Sequence, residues 1–144
     1  MDKDVFFIDA SKPVIDAIDL MVKNNVWSLV VLDKGIPVGV LTERDIFRRC
    51  LGKRIKPETI TVKSIMSTPI ITIEPDAPVG EAMRLIVEKE VRRIYVVEDG
   101  KIIGRVTQAG LFQSLNKRIP SLNPISLNRR QSFPEKGQPR PASL

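Results

Sequence analysis

The sequence predicts a mixed α/β (α+β) fold built from two similar β-α-β-β-α units. The main observation is an internal repeat, because residues 5–50 align with residues 70–115 without a gap, at a constant offset of 65. Neither unit is expected to bury its apolar face alone, so the two units should stack on each other. Twelve of the 46 aligned pairs are identical: Ile8/Ile73, Pro13/Pro78, Val14/Val79, Ala17/Ala82, Leu20/Leu85, Val22/Val87, Val26/Val91, Val31/Val96, Gly35/Gly100, Gly39/Gly104, Thr42/Thr107 and Phe47/Phe112.

A helix follows the first strand of each unit. It is expected to open near Pro13 in the first copy and near Pro78 in the second, because proline suits the start of a helix. Ser11 and Asp76 are the expected side-chain caps. Apolar residues then recur at helical spacing in both copies, which predicts one buried face for each helix.

Short apolar runs rich in β-branched residues predict three strands in each unit. The second and third strands flank a turn that contains Gly35 or Gly100, and glycine tolerates the positive φ of a tight hairpin turn. The helices are expected to cover one face of each small sheet. The predicted strands span residues 5–9, 28–32, 36–41, 70–74, 94–97 and 101–106.

The chain divides into two repeats, a connection and a tail. A second helix closes each unit, at about 43–51 and 108–117, and a short helical lead-in is expected at 61–66. The tail holds five of the eleven prolines and lacks apolar periodicity, so it is predicted to be disordered. The predicted boundaries are 1–51 for the first repeat, 52–65 for a linker, 66–116 for the second repeat and 117–144 for the tail.

The net charge of +6 comes almost wholly from the tail. Residues 1–115 carry 17 Lys and Arg against 16 Asp and Glu, whereas residues 116–144 carry 6 against 1. The repeats are therefore electrically balanced, and they are not predicted to bind nucleic acid. Weak contact with nucleic acid or acidic partners stays open for the basic tail alone.

The composition also narrows the chemistry. Histidine is absent, which excludes imidazole bases, His-based triads and His-ligated metals, and one Cys leaves no zinc site. No nucleophile is paired with a base, so we expect neither an enzyme nor a metal or cofactor. No run approaches the roughly 20 apolar residues of a membrane span. Because Cys50 has no internal partner, the cytoplasm is the expected location.

The sharpest local motif is Gly39-Val40-Leu41-Thr42-Glu43-Arg44-Asp45, where a strand meets a helix. Taken alone, these residues favour a capping box, with Thr42 as N-cap and Asp45 in the first turn. The functional interpretation is that the turn exposes backbone N–H groups beside a carboxylate. Such groups attract phosphate, and the carboxylate can accept both hydroxyls of a ribose.

The chain resembles a tandem pair of CBS domains (a Bateman module) over residues 1–116. The resemblance rests on the duplication, the turns at Gly35 and Gly100, the lead-in 62–66 and the Gly-x-x-Thr-x-x-Asp run. It implies two units packed through their sheets about a pseudo-twofold axis, with two clefts between them. In many members one or both clefts bind AMP, ADP, ATP or S-adenosylmethionine, and the module forms a homodimer through its helices.

The resemblance also implies which residues form one ligand site. Thr42 and Asp45 would hold the ribose and phosphate, with Val40 lining the cleft and Arg44 near the phosphates. Arg92 and Arg93 keep two interpretations, because a guanidinium grips phosphate but also suits a solvated strand end. The opposite wall would come from Met66, Pro69, Ile71, Val91, Arg92 and Arg93.

The second repeat departs from the family pattern, because Gly110 stands where the ribose-binding Asp would be. Thr107 is left as a helix cap. This second cleft would be walled by residues 1–6 and by Val26 and Trp27. One competent nucleotide site per chain is therefore predicted.

These observations predict a non-catalytic sensor that binds an adenine nucleotide and signals to an unidentified protein target in trans. The alternative is a dimerising scaffold whose clefts bind no ligand, with the tail as its contact segment. The residues considered for a dimer surface are Ile18, Met21, Met83 and Ile86.

Overall fold

The computed structural model of the chain describes residues 1–118, so the predicted disorder of the tail falls outside the described residues. Within that range the longest helices have eleven residues, and none is long and apolar enough to cross a bilayer. The elements are β1 (Phe7–Asp9), α1 (Val14–Asn24), β2 (Ser28–Asp33), β3 (Ile36–Thr42), α2 (Glu43–Arg49), a 3-10 turn (Leu51–Lys53), α3 (Val62–Ile65), β4 (Thr72–Ile73), α4 (Val79–Lys89), β5 (Arg93–Glu98), β6 (Lys101–Thr107) and α5 (Gln108–Arg118).

Each unit contains a three-stranded sheet with the same topology. The first strand runs parallel to the second, and the second pairs antiparallel with the third. The hairpin turns have positive φ at Lys34 and Gly35 (50° and 79°) and at Asp99 and Gly100 (50° and 74°). Two successive residues of positive φ match the twist of the flanking strands. The predicted duplication of β-α-β-β-α units is confirmed.

The helices α1 and α4 begin one residue after the prolines. Pro13 and Pro78 are themselves the N-cap residues, and neither helix has a side-chain cap. The expected caps at Ser11 and Asp76 were therefore wrong. Ser11 lies two residues too early in the chain, and its hydroxyl donates instead to Asp9 Oδ1 at 2.6 Å.

The two units pack through their sheets. Val30, Val40 and Tyr95 form a buried cluster between the sheets, and the Ser28 and Tyr95 hydroxyls are hydrogen-bonded at 3.1 Å. Two equivalent antiparallel bridges, Val40 with Ser67 and Arg105 with Asp2, tie each third strand to the other unit. Arg105 is the repeat equivalent of Val40, and Ser67 is the repeat equivalent of Asp2. The packing therefore has the predicted pseudo-twofold symmetry.

The segment predicted as a linker, residues 52–65, packs on the first unit. Val62 and Ile65 are buried in its core, and Ile55 and Ile60 pack against the same core. The first core thereby contains thirteen buried residues, whereas the second contains five. The connection is a structural part of the first unit.

The helices leave several large apolar side chains exposed. Of the residues considered for a dimer surface, Met21 and Ile86 are buried, Ile18 is half-buried and Met83 is exposed. Met21 and Ile86 lie on the inner faces of α1 and α4, so they serve the core and not an outer surface. The exposed apolar residues of the helices are Val22, Phe47, Val79, Met83, Val87 and Phe112.

Candidate functional site

One cleft opens between the units where β3 ends and α2 begins. Its volume is about 1450 Å³, and its other wall is formed by the segment before β4 and by the entrance to β5. The fold therefore brings polar groups of the first repeat to face cationic and apolar groups of the second. Nine of the ten residues predicted for the ligand site line this cleft: Val40, Thr42, Arg44, Asp45, Pro69, Ile71, Val91, Arg92 and Arg93.

Thr42 and Asp45 form a complete capping box at the start of α2. The Asp45 backbone N–H donates to Thr42 Oγ1 at 3.2 Å, and the Thr42 backbone N–H donates to Asp45 Oδ2 at 3.0 Å. The Thr42 hydroxyl also donates to Oδ2 at 3.1 Å. The structure therefore confirms the interpretation of these residues as a helix cap. Asp45 is buried, with only 5% of its surface exposed.

Backbone donors at this turn are largely occupied. The Glu43 N–H donates to the Trp27 carbonyl at 3.1 Å, and the Asp45 N–H is held by Thr42. Helix α2 has only seven residues. Of the four N–H groups from Thr42 to Asp45, only that of Arg44 has no acceptor among the described residues, so side chains would supply most of the donors to a phosphate here.

Ser67 is a cleft residue that sequence reasoning missed. Its hydroxyl donates to Asp45 Oδ1 at 2.7 Å, and its backbone pairs with Val40 through bonds of 2.8 and 2.9 Å. A usable signal existed, since the offset of 65 aligns Ser67 with Asp2 and both polar residues directly follow a Met. Ser67 joins the second repeat to the motif of the first.

Met66 does not line the cleft, which corrects its predicted position. Its side chain packs on the core of the first unit and lies over Gly39. A Cβ atom at Gly39 would stand 2.8 Å from Met66 Sδ and 2.9 Å from the Ser67 carbonyl oxygen. Gly39 therefore permits the close approach that turns Met66 inward and presents Ser67 to the cleft.

Arg44, Arg92 and Arg93 line the cleft together with Glu43. Arg93 Nη1 donates to Glu43 Oε2 at 3.3 Å, and Arg92 Nη1 stands 3.8 Å from Glu43 Oε1. Arg92 has a side chain 78% exposed, whereas that of Arg93 is 14% exposed. Arg44 is exposed. Neither interpretation of Arg92 and Arg93 anticipated Glu43 as their carboxylate partner.

Arg49 and Tyr95 stabilise the walls of the cleft, and both were missed. Arg49 Nη1 donates to the carbonyl oxygens of Ile65 and Met66 at 3.1 and 3.0 Å, which ties α2 to the lead-in. Tyr95 lines the cleft from the sheet interface. Burial raises the pKa of Tyr95, against the smaller opposing effect of the Ser28 hydrogen bond.

The place predicted for the second cleft is chemically different. Arg105 stands where the first cleft has Val40, and its guanidinium pairs with Asp2 at 2.8 Å. The Gly110 N–H donates to Thr107 Oγ1 at 3.0 Å, so Thr107 caps α5 as predicted. Gly110 provides no carboxylate equivalent to that of Asp45. Val26 and Trp27, predicted beside this cleft, line the first one. An internal ion pair thus occupies the place where the other cleft has an apolar wall.

A family model described as "CBS domain" matches the chain twice, at residues 1–52 and 62–117. An uncharacterized protein of Methanopyrus kandleri is 34% identical over 113 residues, which is 77% of this chain and 58% of that relative. The chain therefore spans less than two thirds of that relative's length.

Solved structures have the same fold. An uncharacterized conserved protein from Pyrococcus horikoshii is 33% identical, with a TM-score of 0.74 over 83% of this chain and 90% of that one. A hexameric CBS-CP12 protein from bloom-forming cyanobacteria is 27% identical, with a TM-score of 0.75 over 90% of this chain and 79% of that one.

Proposed function

Because this chain belongs to the CBS domain family, we propose that it is a non-catalytic regulatory module that binds an adenosine-containing ligand. The ligand class is AMP, ADP, ATP or S-adenosylmethionine. The observation that carries the proposal is the convergence of Thr42, Asp45 and the arginines on one cleft between the repeats. We place the output on a separate protein in the cytoplasm, reached in trans.

The cleft chemistry suits the three parts of a nucleotide. Val40, Ile71 and Val91 offer an apolar surface for the adenine ring. Asp45 Oδ1 accepts one bond, from Ser67, so a ribose hydroxyl would share or replace that donor. Arg92 and Arg93 would grip phosphate bidentately, because a guanidinium matches the geometry of phosphate oxygens.

Calorimetric titration of the full chain with AMP, ADP, ATP and S-adenosylmethionine tests the proposal. We expect about one ligand bound per chain. Asp45→Asn keeps one carbonyl acceptor for the cap, replaces the other oxygen with an NH2 donor and loses the charge. It should weaken binding by about tenfold or more, since hydrogen bonds to charged groups are worth about 1.5–3 kcal/mol. Asp19→Asn, an exposed Asp on α1, is the matched control and should bind like the parent.

Two results would contradict the proposal. Binding that survives Asp45→Asn unchanged would place the ligand elsewhere. No heat with any of the four ligands would favour the alternative of a dimerising scaffold. The observation that favours the scaffold is the exposure of equivalent apolar residues on both units, with Phe47 69% and Phe112 56% exposed.

A further inference from the structure

The cleft between the units carries an excess of positive charge. Six cationic side chains line it against three acidic ones, whereas residues 1–115 as a whole carry 17 Lys and Arg against 16 Asp and Glu. The acidic residues are Glu43, Asp45 and Glu90. The positive charge of the repeats is therefore concentrated at this one cleft. The cationic residues are Arg44, Arg48, Arg49, Lys89, Arg92 and Arg93.

The repeat provides an internal comparison for these nine positions, because each has an equivalent in the other unit. None of the nine equivalents is charged. Ala109 stands for Arg44, Gln113 for Arg48 and Asn24 for Lys89. The other equivalents are Trp27, Ser28, Ser114, Gln108, Gly110 and Asn25. Since both units build the same elements, the fold does not require a charge at any of these positions.

Three of the six cations form no ion pair with a described residue. Arg49 Nη1 stands 3.9 Å from Asp45 Oδ1, and Glu43 is the partner of the other two arginines in ion pairs. Within residues 1–118 the free cations are Arg44, Arg48 and Lys89, and all three are exposed. Among the acidic residues of the cleft, only Glu90 is likewise outside every ion pair of that range.

Helix stability does not account for Arg44. It lies in the first turn of α2, where the helix dipole disfavours a cation. Arg48 lies one turn further on the same face, and like charges at that spacing repel each other. Arg48 and Lys89 lie in the last turns of α2 and α4, where the dipole favours a cation. The cluster as a whole therefore has a cost for α2 that a bound anion would offset.

The free cations face the cleft from both units. Arg44 and Arg48 belong to α2 of the first unit, and Lys89 ends α4 of the second. A concave surface lined by one sign of charge raises the local concentration of ligands of the opposite sign. The same surface repels a ligand of its own sign.

We propose that the free cations make the cleft selective for a phosphate-rich adenosine ligand, ATP or ADP, over AMP and against S-adenosylmethionine. The inference rests on the proposed function, which names these four ligands without ranking them. Each added phosphate adds negative charge, whereas S-adenosylmethionine carries a sulfonium and an ammonium group against one carboxylate. Arg44, Arg48 and Lys89 are thus the specificity-determining residues of the site.

Titration calorimetry of the full chain at low salt, without divalent cations, ranks the four ligands. ATP should bind at least about tenfold more tightly than AMP, because each exposed charge pair contributes up to about fivefold in affinity. S-adenosylmethionine should bind most weakly, and higher salt should narrow the range. If AMP or S-adenosylmethionine binds as tightly as ATP, this inference is overturned and the proposed function stands. If none of the four binds, both fall.

Exchanging the free cations for their repeat equivalents tests the residues themselves. The variant Arg44→Ala, Arg48→Gln and Lys89→Asn should bind ATP about tenfold or more weakly and should bring the affinities for ATP and AMP close together. The second unit has the same three residues at equivalent positions, so the variant should fold, and thermal unfolding checks that it does.

The matched control removes three positive charges away from the cleft. Lys34, Lys63 and Lys101 are exposed and do not line it. Their joint replacement by Gln should leave the preference for ATP over AMP unchanged. An equal loss of that preference in both variants would make it an effect of net charge and overturn the assignment to Arg44, Arg48 and Lys89.

Discussion

At the scale of single residues, Glu43 is the carboxylate partner of two cleft arginines. Its carboxylate pairs with Arg93 and lies near Arg92, so it competes with any phosphate for the same guanidinium groups. We expect Glu43→Gln to raise the affinity for AMP or ATP by roughly fivefold, because a partly exposed ion pair is worth up to about 1 kcal/mol. Titration calorimetry at low and high salt measures this gain, which should shrink at high salt.

The matched control is Glu98→Gln, an exposed glutamate at the β5–β6 turn. It removes the same charge away from the cleft and should leave the affinity unchanged. Weaker binding in Glu43→Gln would mean that Glu43 orders the arginines for the ligand and does not compete with it.

Tyr95 gives a second prediction at this scale, since it is the only tyrosine in the chain. Its burial raises its pKa above the ordinary value of about 10. A raised folded pKa means that its contribution to stability is complete below about pH 10 and is lost as the pH rises through the folded value. Absorbance at 295 nm should show tyrosinate forming at a higher pH in the folded chain than in the urea-unfolded chain. Tyr95→Phe should remove that signal and make stability less sensitive to alkaline pH, and ionisation of a folded Tyr95 near pH 10 would contradict the burial argument.

At the scale of elements, the join between β3 and the lead-in depends on Gly39. A Cβ there would contact the Ser67 carbonyl oxygen at 2.9 Å, which is backbone and cannot rotate away. We expect Gly39→Ala to destabilise the fold by about 1–3 kcal/mol, as overpacking does, and to weaken the Ser67–Asp45 contact. Urea unfolding measures the loss. Gly80→Ala, a substitution into open space on α4, should be neutral or stabilising by up to about 1 kcal/mol. Equal effects of the two substitutions would contradict the role of the close approach.

The join between β3 and the lead-in shows which features of the fold could be predicted from the sequence. Strands, hairpins and capping box depend on neighbours in the chain, so local patterns predicted them. The direction of the Met66 side chain and the contacts of Ser67 and Arg49 depend on how residues 62–67 cross the first unit. That crossing is a tertiary contact between segments about 20 residues apart, and no local pattern encodes it. The repeat offset was the one signal that pointed to Ser67.

At the scale of the whole molecule, four of the six exposed apolar residues of the helices form two equivalent pairs. Val22 pairs with Val87 and Phe47 with Phe112, and all four side chains are more than half exposed. Such exposed side chains form an interaction site where they lie in one contiguous apolar patch. Val22 and Phe47 also line the cleft proposed to bind a ligand. Self-association through these residues would therefore place the interface beside the proposed ligand. A solved structure with the same fold is hexameric, so such folds can associate.

We therefore expect the chain to form a homodimer through the helices, with an affinity that depends on the ligand. Phe47→Glu combined with Phe112→Glu should yield monomers in sedimentation equilibrium, because burying two unpaired carboxylates at an interface is costly. Ile36→Glu changes a side chain that is 65% exposed at the β2–β3 turn, away from the helices, and should leave the assembly intact. Linkage is reciprocal, so a ligand that strengthens the dimer must itself bind more tightly to the dimer than to the monomer, and dilution of the parent chain compares the two forms without changing the cleft. If the dimer survives both substitutions, the interface does not lie on the helices. If the monomer and the dimer bind the ligand with equal affinity, dimerisation and ligand binding are independent.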